Sequence, residues 1–162
     1  MTPGKGLRIK NKKGDLIYEG NLHLNTDELD FRDAVLEGMA LQGIHFQHAN
    51  MQGANLRGAD LYWAIFFRAN LEGADLEGAQ LQGTDLKEVN FTNANLRNAN
   101  LSRDNLGGST QLQGAILTGA ILEGADLEGV EYSSETVFPN DFDPKRWKMI
   151  LRKSSWESSL LF

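Results

Sequence analysis

With 162 residues the chain has the size of a single domain. Its 41 % hydrophobic and 23 % charged residues exclude a disordered chain, and no run approaches the ~18 apolar residues of a membrane span. Cysteine is absent, which excludes disulfides, thiolate metal sites and cysteine nucleophiles. The expectation is a cytoplasmic protein. The formal net charge of −6 lies between Ile44 and Tyr132, where eleven residues are acidic and five basic; the two ends together are neutral and locally basic. An acidic middle between basic ends argues against direct nucleic-acid binding, which needs a continuous basic surface.

At the N-terminus, Leu7–Lys10 and Leu16–Glu19 flank the turn-rich Asn11–Asp15, the pattern of a β-hairpin. Thr26-Asp27-Glu28 then has the form of a helix start, and Leu29, Val35, Leu36 and Met39 recur at helical spacing to about Leu41. Residues 1–43 therefore read as a hairpin followed by a helix, too small to bury a core of their own.

From 44 to 132 the sequence repeats every five residues, as in Ala54-Asn55-Leu56-Arg57-Gly58 and Ala74-Asp75-Leu76-Glu77-Gly78. Apolar centres fall at Phe46, Met51, Leu56, Leu61, Phe66, Leu71, Leu76, Leu81, Leu86, Phe91, Leu96, Leu101 and Leu106. After one supernumerary residue the series resumes at Leu112, Leu117, Leu122, Leu127 and Tyr132. All eighteen centres are apolar, twelve follow an Ala two positions earlier, and only Asp104 puts a charge at that place. Five steps along an α-helix turn the chain by about 500°, which scatters the centres over every face. In a flat strand, centres five apart point to opposite sides. The period works if the chain is extended for a few residues and then turns a corner near Gly, which tolerates unusual backbone angles. Ala and the centre then face inward with Asn or Asp between them facing out.

This run resembles the pentapeptide-repeat family, whose motif is a small residue, Asn or Asp, Leu or Phe, a polar residue and often Gly. The resemblance implies a mainly β fold, a right-handed four-sided β-helix of pentapeptide repeats with four pentapeptides per coil. Coils ~4.8 Å apart make a rod ~22 Å long over 44–132, irregular at 103–111. The hairpin and helix ahead of it resemble the arrangement in cyanobacterial members. A single coil buries too little to offset its backbone entropy, so stacked neighbours and caps at both ends are expected.

Residues 133–162 read as a C-terminal cap, a short basic helix and a tail. Val137, Phe138 and Phe142 are bulky enough to plug the last coil. Asp143-Pro144 starts a helix over 144–153, with Asp as N-cap and Pro at the first position. Trp147, Ile150 and Leu151 share one face of it, and Lys145, Arg146, Lys148, Arg152 and Lys153 occupy the others. The tail carries Trp156, Leu160, Leu161 and Phe162.

No catalytic, cofactor-binding or metal-binding set emerges. His45 and His48 flank Phe46 at outward positions and His23 precedes the helix, without a third converging ligand. No phosphate-cradling loop or nucleophile elbow occurs. The outward ladder Asn50, Asn55, Asp60, Asn70 and Asp75 reads as side chains bonding nearby backbone. The candidate interaction surface is Tyr62, Trp63, Ile65 and Phe67, together with Trp156, Leu160, Leu161 and Phe162, apolar residues that the coil itself does not need. The expected function is a non-enzymatic interaction or scaffold module that binds a protein partner or a second copy of itself as a homodimer. The alternative implied by the resemblance is a DNA mimic that binds a type II topoisomerase (gyrase), as in relatives that protect against quinolones. A duplex of ~22 Å carries ~13 charges, against a net −6 for this segment.

Overall fold

The computed structural model describes residues 7–20 and 29–153. It contains strands β1 (Leu7–Asn11), β2 (Leu16–Gly20), β3 (Ala34–Val35), β4 (Glu131–Tyr132) and β5 (Ile150–Leu151), and one 3-10 turn, Pro144–Trp147. The rest is a ladder of parallel bridges between residues twenty apart, running from Asp30↔Asn50 and Val35↔Asn55 to Gln80↔Asn100. Each rung repeats one bonding scheme. Leu71 N–H donates to Asn90 O (2.8 Å), Gly73 N–H to Thr92 O (2.9 Å), and Asn90 N–H returns to Ala69 O (3.1 Å). Between rungs the chain turns a corner, closed by Ala74 N–H to Leu71 O (3.0 Å), with Gly73 at φ 63. A positive φ at every corner explains the glycine spacing.

Side chains sort by this geometry. The Ala positions and the centres face a common interior, where Phe46, Leu56, Phe66, Leu76 and Phe91 are fully buried. Phe46 and Phe66, one coil apart, stack with ring centroids 5.2 Å apart. Thr84 and Thr110, the polar residues at Ala positions, are buried, and both hydroxyls donate to Leu81 O, at 2.6 and 2.9 Å. The outward Asn and Asp side chains accept from the backbone two residues on, as Asn70 does from Glu72 N–H (3.1 Å) and Asp75 from Glu77 N–H (3.1 Å). The ladder is thus occupied in holding the corners.

Four expectations need correction. The first is the helix reaching to Leu41. Over the described part of that segment there is no helix: Phe31, Leu36 and Leu41 are buried centres of three further pentapeptides, ahead of the expected boundary at 44. Phe31 N–H bonds to Asn50 O (2.7 Å) and Leu36 N–H to Asn55 O (2.8 Å), so pairing with the next coil outweighs a local helical pattern. His23 and Thr26-Asp27-Glu28 lie outside the described residues. The second is Leu106, expected in the core and in fact 82 % exposed. The bridges lengthen from twenty to twenty-six residues at Asp85↔Gln111, so Leu112 rather than Leu106 follows Leu86 in its column. The insertion is six residues, one pentapeptide longer than the single extra residue expected.

The third is the basic helix 144–153. Asp143 caps a single 3-10 turn by accepting from Lys145 N–H (3.1 Å), and Lys148 ends it in the left-handed region at φ 55. The chain then returns to the coil, where β5 pairs in parallel with β4 (Glu131↔Ile150, Tyr132↔Leu151). Two of its cations lie against the coil, Lys148 Nζ at 3.0 Å from Glu128 and Arg152 Nη2 at 2.6 Å from Glu131. The fourth is Val137, which does not plug the coil. It bridges Ile116 at an outward position and is 47 % exposed. The aromatic contacts there are instead a chain of Tyr132, Phe138, Phe142 and Trp147, with successive ring centroids 5.4, 4.9 and 5.8 Å apart.

At the other end β1 pairs antiparallel with both β2 and β3 (Lys10↔Val35, Asn11↔Ala34), so the hairpin lies along the first coil. Ile9 is fully buried beneath it, and Tyr18 packs edge-on against Phe31 at 5.6 Å.

Candidate interaction surface

With six residues added to the ordinary spacing, the chain leaves the coil after Leu101 and returns at Thr110, and the aromatic residues expected as an exposed patch hold the intervening segment in place. Trp63 Nε1–H donates to Asp104 Oδ2 (2.5 Å), and Asn105 N–H donates to Tyr62 Oη (2.9 Å). Asp104 Oδ1 accepts from Leu106 N–H (2.8 Å) and Gly108 N–H (2.6 Å), while Asp104 N–H reaches Gly108 O (2.9 Å). One carboxylate therefore organises the whole loop. The Trp63 indole above all, with the Gly108, Leu106 and Gly107 amides, holds its carboxyl below the ordinary carboxylate range despite some desolvation. Where the loop leaves, Gly83 N–H is satisfied by Thr110 Oγ1 (3.0 Å).

Local backbone explains the placement of Trp63. It occupies a corner at φ 58, where most repeats have Gly, so its ring stands out from the rod and over the next coil. There it meets Gly83, where a Cβ would lie 2.5 Å from Trp63 Cδ1. At the loop tip Leu106 points away from the protein.

Of the remaining expected surface residues, Ile65 and Phe67 are half-buried. His48 packs edge-on to Phe67 at 5.7 Å, and Arg68 Cζ lies 4.8 Å from its ring centroid. The structure thus brings Tyr62 and Trp63 together beneath the loop, with Ile65 and Phe67 on the adjoining side of the rod. Trp156, Leu160, Leu161 and Phe162 lie outside the described residues. Sequence reasoning missed Leu106, although Asp104 and Gly107-Gly108 already marked the segment as irregular.

Among the described residues no group of three His, Asp or Glu side chains is arranged to hold a metal ion, and no helix is long and apolar enough to cross a membrane. Charge is patterned instead. Glu37, Arg57, Glu77, Arg97 and Glu123 alternate up one side. Arg57 Nη1 lies 2.5 Å from Glu77 and 3.3 Å from Asp75, and Arg97 Nε lies 3.2 Å from Glu123. The Arg57 hydrogen bond lowers the Glu77 carboxyl from its ordinary value, and Glu77 and Asp75 raise the Arg57 guanidinium.

This repeat architecture matches the profile "Pentapeptide repeats" in 8 copies, over residues 30–66, 64–103 and 109–131. The chain belongs to the pentapeptide-repeat family. Among solved structures it is similar to the pentapeptide repeat protein Rfr23 from the cyanobacterium Cyanothece 51142, with 34 % identity, 71 % of this chain and 67 % of that chain covered, and a TM-score of 0.55. A pentapeptide repeat protein of the Arabidopsis thaliana thylakoid lumen is 30 % identical, with 75 % and 73 % of the two chains covered and a TM-score of 0.45. A trypsin-treated form of QnrB1, a plasmid-mediated fluoroquinolone resistance protein, is 18 % identical, with 83 % of each chain covered and a TM-score of 0.40. No curated protein matches the chain.

Proposed function

We propose that this chain is a non-enzymatic interaction or scaffold module. In this reading it is a right-handed four-sided rod, capped by the hairpin at one end and by residues 133–153 at the other, which presents the 102–110 loop to a protein partner. The carrying observation is Leu106. A large apolar side chain stands 82 % exposed on a loop whose backbone is tied down at both sides of it. Ordering a loop before contact removes much of the entropic cost of binding, and covering one leucine contributes ~1.5–3 kcal/mol. The DNA-mimic alternative asks for unbroken rows of carboxylates, whereas the Glu37–Glu123 column alternates in sign, so that reading is not adopted.

Affinity capture from the native host, with the intact chain and with Leu106→Ser, tests this. Leu106→Ser should leave the melting temperature unchanged and remove the captured partner. Capture that is indifferent to Leu106, or an intact chain that captures nothing, refutes the reading.

A further inference from the structure

The rod does not end evenly. On the side carrying Leu36, Leu56, Leu76 and Leu96, the last rung is Ala120–Gly124. Its bonds to the coil below are complete: Ile121 N–H to Ala94 O (2.9 Å), Leu96 N–H to Ile121 O (2.8 Å) and Asn98 N–H to Glu123 O (3.0 Å). Its other edge is unpaired among the described residues. Among the described residues nothing accepts from Leu122 N–H or Gly124 N–H, and nothing donates to Ala120 O. The chain passing there, Pro139–Trp147, swings outward rather than laying a strand. It leaves a groove of about 320 Å³ between that edge and a wall formed by Phe142 and Trp147, whose rings stack at 5.8 Å.

The charge column adds a second, independent constraint. It ends on Glu123, whose side chain is 79 % exposed on its outer side. Each of the two lower glutamate rungs is covered by an Asn-Leu-Arg segment of the next coil. Glu37 lies beneath Asn55-Leu56-Arg57, through Leu36 N–H to Asn55 O (2.8 Å) and Gly38 N–H to Arg57 O (2.8 Å). Glu77 lies beneath Asn95-Leu96-Arg97, through Leu76 N–H to Asn95 O (2.8 Å) and Gly78 N–H to Arg97 O (2.9 Å). Arg146, a cation of the groove, faces Asp143 at 3.6 Å and leaves the outer side of Glu123 to an incoming cation.

We infer that the open rung Ala120–Gly124 is a strand-addition site for an extended peptide running parallel to it. The peptide places a large apolar residue over Leu122 and an Arg or Lys next, beside Glu123. Its backbone accepts from Leu122 and Gly124 and donates to Ala120, and its apolar residue fills the groove against Phe142 and Trp147. Unpaired strand edges recruit extended segments in this way, with main-chain bonds supplying affinity and the side-chain pocket supplying specificity. The inference deepens the interaction-module reading and rests on it only in requiring a protein partner. The site is separate from the 102–110 loop, so capture that does not depend on Leu106 leaves it standing.

Amide NMR of the full chain tests the site, with a capped peptide of the sequence of residues 93–99 (Asn-Ala-Asn-Leu-Arg-Asn-Ala) as the probe. Saturable shifts are expected at Leu122 and Gly124. Replacing the peptide's arginine by glutamate should weaken binding about tenfold or more, and Glu123→Arg in the protein should reverse that preference. Three results overturn the inference: no shift at either amide up to about 1 mM peptide, equal affinity for the two peptides, or Leu122 and Gly124 amides already protected from hydrogen exchange in the free chain. The last would mean that the protein fills the edge itself.

Discussion

An inward phenylalanine and an outward glutamate six residues apart illustrate how sharply the coil separates its side chains. Phe66 is fully buried against Phe46, whereas Glu72 sits one position past an inward Leu on the outer surface. Phe66→Ala should cost about 3–5 kcal/mol through the cavity it leaves, and Glu72→Ala should stay within about 0.5 kcal/mol. Equal shifts in thermal melts would contradict the assignment of inside and outside. Trp63 is one of several non-glycine residues at a left-handed corner, alongside His48, Arg68 and Glu88. A left-handed corner costs a non-glycine residue about 1–2 kcal/mol, and in return the indole N–H reaches Asp104. Because the folded pKa of Asp104 is lowered, its contribution is present above the unfolded value of about 3.9 and is lost as pH falls through the folded value. The Trp63 indole N–H resonance should therefore shift only below about pH 4, and Asp104→Asn should abolish that titration.

At the scale of elements, the loop is a self-contained insertion with a defined length. Removing one glycine of Gly107-Gly108 shortens the loop without restoring a continuous ladder, because the structure places six residues outside it. Deleting 103–108 joins Leu101-Ser102 to Ser109-Thr110-Gln111-Leu112 and restores the spacing of five. That variant should keep the far-ultraviolet circular dichroism of the parent and a cooperative melt. Ser109→Gly in the same background should raise its melting temperature, since Ser109 would then occupy a positive-φ corner. A chain that fails to fold after this deletion would show that the loop holds the coil together rather than decorating it. The insertion was legible as an irregularity from Asp104 and the double glycine, but not its length. Leu106 is apolar and correctly spaced from Leu101, and only the pairing of Asp85 with Gln111 reveals that it has left the core.

For the whole molecule, stability is distributed along the stack, since each coil bonds only to its neighbours. The ends are its vulnerable places. Removing residues 1–20 would uncover the Ala34–Val35 edge and the space filled by Ile9. The truncated chain should self-associate in light scattering, while coils beyond Asn50 retain slow amide exchange. A monomeric truncation with an unchanged melt would mean that the hairpin has no capping role.

The recurring Ala–Asn–Leu–x–Gly pattern was enough to determine the five-residue period, the inward and outward positions and the glycine corners. Each of these depends on side-chain alternation and local φ within one pentapeptide. Where the coil begins, how many residues the loop removes from it and how residues 144–153 run were decided only in three dimensions. Leu29–Leu41 satisfies a helical spacing as well as a pentapeptide one, and 144–153 has a sound helix start. In both segments the outcome turned on bonds to residues about twenty positions away, Asn50 and Asn55 in one case and Glu131 and Tyr132 in the other. Such pairings gain from every coil already stacked, and no local propensity records them.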